Sequence, residues 1–168
     1  MRKIILPYKK LNNISIHDKK VMGGMERFGQ MVYQNVEGII PVEFTEEDQR
    51  KRRVTEMIAR AVNQHDADMV LNNYDNETLL GRLQEQVDVP IGWICHNLGT
   101  SISKVNLVRT MPAFVTNGGS IFMVTKYQHR TWDELSQRIN GSGIVPTISG
   151  YIPSACCSGS ERFYTERD

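Results

Sequence analysis

Three stretches of this chain combine residue types suited to holding a charged ligand. In "HDKKVMGGMERFGQ", residues 17–30, Gly23 and Gly24 precede a helical pattern that starts at Met25. Glycine accepts positive φ and lets a ligand approach the backbone, while the free amides of a following helix attract an anion. A phosphate or diphosphate suits such a turn. The pair is neither GxGxxG nor a P-loop, since no Gly-Lys-Ser/Thr follows, and a tight turn without a ligand accounts for it equally well. Ahead of it, the segment from Pro7 to Met22 is about three times the usual βα loop length. It carries Lys9, Lys10, Lys19 and Lys20. Four lysines on a mobile loop can contact phosphates without reading sequence.

The second stretch is "VPIGWICHNLG", in which His96 follows an apolar run. An imidazole titrates near neutrality and can donate or accept there, although by residue type alone a satisfied structural histidine is the commoner case. The third is Asn72, Asn73, Tyr74 and Asp75. These offer donors and acceptors for sugar or base edges, and are equally the composition of a turn. Lys104, Arg109 and Lys126 extend a basic track, each also readable as a surface charge. "RKRR", residues 50–53, reads as a solvated helix face. Trp93 and Trp132 read as core residues.

Apolar runs and amphipathic segments alternate along the chain, and this alternation defines the elements that must position these residues. Strands are expected at 2–6, 39–44, 68–71, 89–95, 120–125 and 143–148. Between them run amphipathic stripes. Met25, Phe28, Val32 and Val36 form the first, ended by Gly38; Val54, Met57, Ile58 and Ala61 lie in an expected longest helix capped by Thr45. Leu79, Leu80, Leu83 and Val87 form the next, followed by helices near 101–111 and 128–140. Strands rich in β-branched residues between helices imply an α/β fold: a Rossmann-like, doubly wound parallel sheet of about six strands with helices on both faces. Ligands of such folds bind at the carboxyl ends of the strands. Residues 1–150 form the expected domain, and the polar 151–168 a tail or the start of an interdomain connection.

The 168 residues, 40% hydrophobic and 23% charged with a net charge of +1, describe a globular chain. No apolar run approaches the ~20 residues of a membrane span, and Ile4 to Leu6 is too short for a secretory core. A cytoplasmic protein is expected. Cys95, Cys156 and Cys157 form no disulfide framework and a poor zinc site, so no metal is expected.

"GGMERF" ahead of an amphipathic helix resembles the first glycine-rich turn of the family-four retaining glycosyltransferases, enzymes of GT-B architecture. "VPIGWICHNLG" is similar to that family's strand ending in histidine, and "GGSIFMVTKYQHRTW" to its strand ending in Ser or Thr. The resemblance covers the chain from the first strand to about Ile148, and its arrangement is most similar to phage enzymes that glycosylate hydroxymethylated DNA. It implies that Gly23, Gly24, Met25 and Thr125 line the cleft of the donor diphosphate. His96 would orient the transferred sugar, and Lys9, Lys10, Lys19, Lys20, Asn72, Asn73, Tyr74, Lys104, Arg109 and Lys126 would face the acceptor. The implied donor is a nucleotide diphosphate sugar, with no tightly bound cofactor. The family's C-terminal domain, with its basic pair and Glu-x7-Glu signature, has no room in this sequence. The expected unit is therefore an N-terminal acceptor-side half that is inactive alone and has the C-terminal domain as partner. The rival expectation is a non-catalytic Rossmann-like module that binds an anion or nucleic acid. A flavodoxin- or response-regulator-like domain is disfavoured by the basic "LPYKK" after the first strand.

Overall fold

The computed structural model of the chain describes residues 1–18, 24–74, 77–96, 114–123 and 150–151. Its strands are β1 (Ile4–Lys9), β2 (Ile39–Phe44), β3 (Met69–Asn72), β4 (Ile91–Cys95), β5 (Ser120–Met123) and β6 (Gly150–Tyr151). All pair in parallel, in the order β2-β1-β3-β4-β5-β6. Its helices are α1 (Gly24–Asn35), α2 (Glu46–Arg50), α3 (Val54–His65) and α4 (Glu77–Gln86). This is the expected doubly wound α/β sheet. The chain moves outward from β1 to β2, then reverses past β1 to β3, so right-handed crossovers must place α1 on one face and α3 and α4 on the other.

Each face has its own core. Leu6, Tyr8, Ile16, Phe28, Val32 and Ile94 pack beneath α1. Ile5, Phe44, Ile58, Leu80, Leu83 and Trp93 belong to the larger cluster beneath α3 and α4. Successive residues of β1 alternate between the two clusters, as the period of a strand requires. Every residue of β4 is buried, because a central strand covered on both faces has no solvated side. Trp93 is core, as expected, and stands edge-on to Phe114 with centroids 5.9 Å apart.

Several boundaries differ from the sequence reading. β1 continues through Pro7, Tyr8 and Lys9, because its whole length pairs with β2; Lys9 is therefore a strand residue and not part of a loop. α1 ends at Asn35, which leaves Val36 off the buried stripe and 44% exposed. The turn continues to Gly38 at φ 81°, where a Cβ would lie 2.0 Å from the Arg2 carbonyl oxygen, a contact that only glycine avoids.

The expected longest helix is two helices. Thr45 and Asp48 form a capping box for α2, and Arg52 then takes φ 57° before α3 begins. No residue of α2 is buried, so no apolar side chain anchors it to the sheet, whereas Val54, Ile58, Ala61 and Val62 anchor α3. Packing thus decides where the helix restarts. β3 is shifted by one residue to include Asn72, and β4 begins at Ile91. The expected strand at 143–148 lies outside the described residues. The observed β6 pairs Gly150 and Tyr151 with Phe122 and Met123, across the expected domain boundary. Among the described residues, no helix is long and apolar enough to cross a membrane.

Candidate functional site at the reversal of strand order

In this topology the connections leaving β1 and β3 diverge to opposite faces, which opens a crevice at their carboxyl ends. Tyr8, Lys9, Met25, Glu26, Asn73 and Tyr74 line it. His96, immediately after β4, stands beside them.

Asn73 organises the crevice. Its side chain is almost fully buried, and its Nδ2 donates to the Met25 carbonyl at 2.8 Å in the first turn of α1. That bond fixes the amide orientation, because a carbonyl accepts only from the NH2 end. Oδ1 therefore faces His96 Nε2, 2.5 Å away. An amide oxygen can only accept, so Nε2 carries the proton and donates to it. Burial also pushes the His96 pKa down from 6.5 to about 4. The imidazole is thus neutral near physiological pH, in the Nε2–H tautomer, with the edge of Phe28 packed against it at 5.4 Å.

Close approach of α1 permits this arrangement. A Cβ on Gly29 would meet Tyr8 Cδ2 at 3.0 Å and Asn73 Nδ2 at 3.2 Å. Gly29 was not singled out from sequence, although a glycine in mid-helix is itself a signal of close packing. Tyr8 beneath it is a neutral phenol. Burial, followed by the charges of Glu26 and Glu43, raises its pKa to about 12, offset only in part by the Gln30 amide.

Asn72 and Tyr74 play different parts from Asn73. Asn72 is fully buried, and its Nδ2 donates to the Tyr74 carbonyl at 2.7 Å, closing the turn after β3. Its Oδ1 has no hydrogen-bond partner among the described residues. Tyr74 is half-buried; its hydroxyl donates to Gln49 Oε1 at 3.0 Å and its ring meets Phe44 edge-on at 5.5 Å.

Of the four lysines expected on a mobile loop, Lys9 and Lys10 are already engaged. Lys9 pairs with Glu46 and sits 5.5 Å from the Tyr74 ring centroid. Burial alone would lower the Lys9 pKa, but the hydrogen bond to Glu46, with Tyr74 and the Glu46 charge, outweighs it and the net direction is upward. Lys10 lies 3.9 Å from Glu43. Glu43 also accepts from Ser15 Oγ at 2.5 Å and from the Ile16 amide at 2.6 Å, and Gln30 donates to the Asp18 carbonyl at 3.0 Å. Residues 10–18 are thus tied to β2 and α1, and the mobile-arm reading fails for them. The cause is Glu43, a strand acid whose role no local pattern reveals.

Gly24 opens α1, one residue before the expected start, and Met25 borders the crevice. Gly23, Lys19, Lys20, Lys104, Arg109, Thr125 and Lys126 lie outside the described residues. No group of three His, Cys, Asp or Glu suited to a metal ion occurs among the described residues. Comparison with protein-family models, with curated proteins and with solved structures finds no match.

Proposed function

We propose that the chain is the acceptor-side half of a retaining GT-B glycosyltransferase, which moves a sugar from a nucleotide diphosphate sugar to an acceptor. Hydroxymethylated phage DNA in the host cytoplasm is the acceptor that the sequence resemblance favours. One observation carries the reading: Asn73 joins the first turn of α1 to His96 at the mouth of the crevice. The two segments that resemble the transferase family, "GGMERF" and "GWICH", therefore meet at one point, through a residue that neither contains.

A neutral imidazole fixed by an amide is suited to orienting a hydroxyl-bearing sugar and unsuited to nucleophilic attack. Met25 and Glu26 of the first turn of α1 border the same space, and free amides of a helix N-terminus favour a diphosphate. Transfer with a charged diphosphate leaving group draws mainly on positioning and electrostatics, which these groups supply. The alternative, a module that grips an anion or nucleic acid without chemistry, is favoured by the arginine-lined pocket described below, which requires no donor.

The test is sugar transfer from nucleotide sugars to hydroxymethylcytosine-containing duplex by this chain together with its nucleotide-binding domain. His96→Ala should lower turnover at least ~100-fold, the order expected for loss of one group acting on the transition state. Wild-type turnover in that variant would refute the role of His96. Absence of transfer to any hydroxymethylated acceptor would refute DNA as the substrate.

A further inference from the structure

A second cavity, of about 310 Å³, opens on the α3/α4 face beyond the end of β2. Phe44 and Tyr74 form its aromatic wall, and Arg50, Arg52 and Arg82 surround it. Glu46 is the only acid of its lining among the described residues, and that carboxylate is held by Lys9. Arg50 is mostly exposed and reaches Glu46 only at 3.9 Å. Ion pairs among the described residues involve Lys9, Lys10, Arg50 and Lys51; Arg52 and Arg82 take part in none.

Three guanidiniums around one concave space repel one another unless a counter-charge enters. The split of the expected long helix creates this cluster. Had 46–64 run as one straight helix, Arg52 would have stayed on its outer surface. Instead Arg52 takes a left-handed conformation and borders the cavity together with Arg82 of α4. The same break leaves the first turn of α3 without a side-chain cap, and Val54 and Thr55 of that turn line the cavity.

We propose that this pocket binds a phosphate group through Arg52 and Arg82, with Arg50 at its rim. Arginine is suited to the task because its planar fork matches two phosphate oxygens at once. The phosphate is supplied by a free phosphomonoester or by the diester backbone of a polynucleotide. The site stands apart from the crevice chemistry, and Tyr74 is the wall between the two.

The experiment uses the whole chain at low salt, with inorganic phosphate and a fluorescein-labelled DNA duplex as probes. Arg52→Gln, Arg82→Gln and the double variant are compared with Lys51→Gln, whose cation pairs with Glu47 outside the cavity lining. Inorganic phosphate should raise the wild-type Tm, and the double variant should lose that shift while keeping its circular dichroism. Arg82→Lys keeps the charge but not the fork, and should bind phosphate several-fold more weakly. Duplex binding weakened tenfold or more by the arginine variants, and displaced by inorganic phosphate, assigns the backbone as source. A phosphate-induced Tm shift without such duplex binding assigns a free phosphomonoester. The proposal is overturned if neither probe binds the wild type, or if Lys51→Gln weakens binding as much as the arginine variants do. Because no sugar donor is used, failure here leaves the transferase reading intact, and failure of transfer leaves this site intact.

Discussion

His96 makes folding stability depend on pH in a window that a single substitution can erase. The ring titrates at 6.5 when free and at about 4 in the folded protein, because burial disfavours the imidazolium. Between these values the unfolded chain binds a proton that the folded chain refuses, so stability is complete above about 6.5 and lost as pH falls toward 4. At about 1.4 kcal/mol per decade the full effect is about 3 kcal/mol, of which about 2.4 kcal/mol is lost between about pH 7 and about pH 4.5. His96→Gln removes the titration but keeps an N–H able to reach Asn73 Oδ1. Urea denaturation followed by circular dichroism, on both proteins at both pH values, separates this loss from that of the carboxylates, which titrate alike in the two. The wild type should lose about 2 kcal/mol more than the variant. Equal losses would refute the buried neutral imidazole, and with it the assigned tautomer.

Gly29→Ala tests the close approach of α1. Alanine favours a helix by about 1 kcal/mol, but its methyl would press on the buried Tyr8 ring and the Asn73 amide, so a net loss of about 1 kcal/mol in urea denaturation is expected. Thr45→Ala removes the α2 cap and should cost about 1 kcal/mol near neutrality. Hydrogen bonds from Thr45 hold the Asp48 carboxyl below its ordinary value, so this contribution is present above 3.8 and lost as pH falls through the folded pKa. The cost of Thr45→Ala should accordingly shrink in acid. Asn72→Asp should destabilise by more than 2 kcal/mol near neutrality, since it places a carboxylate in a fully buried position and against the Tyr74 carbonyl; a neutral result would refute that burial.

Sequence patterning by itself determined the class of fold. A run such as "IGWIC" reads as a strand covered on both faces, and stripes such as Leu79, Leu80 and Leu83 read as the buried sides of helices. These patterns are local and recur at fixed periods, so no partner is needed to read them. The same reading brought Asn73 and His96 to attention, because the ends of strands are legible wherever the strands are.

Tertiary structure alone decided what those residues do. Asn72 and Asn73 are adjacent and identical, yet one closes a turn within the core and the other joins α1 to His96. Asn72 ends β3 and Asn73 follows it, and only the crossovers determine what lies around each. Lys9 became a strand residue held by Glu46, and Arg52 came to border a cavity whose other walls come from distant parts of the chain. Local periodicity encodes which side of an element is buried; the opposing element, distant in sequence, determines whether a polar side chain there meets a carboxylate, an amide or an open pocket.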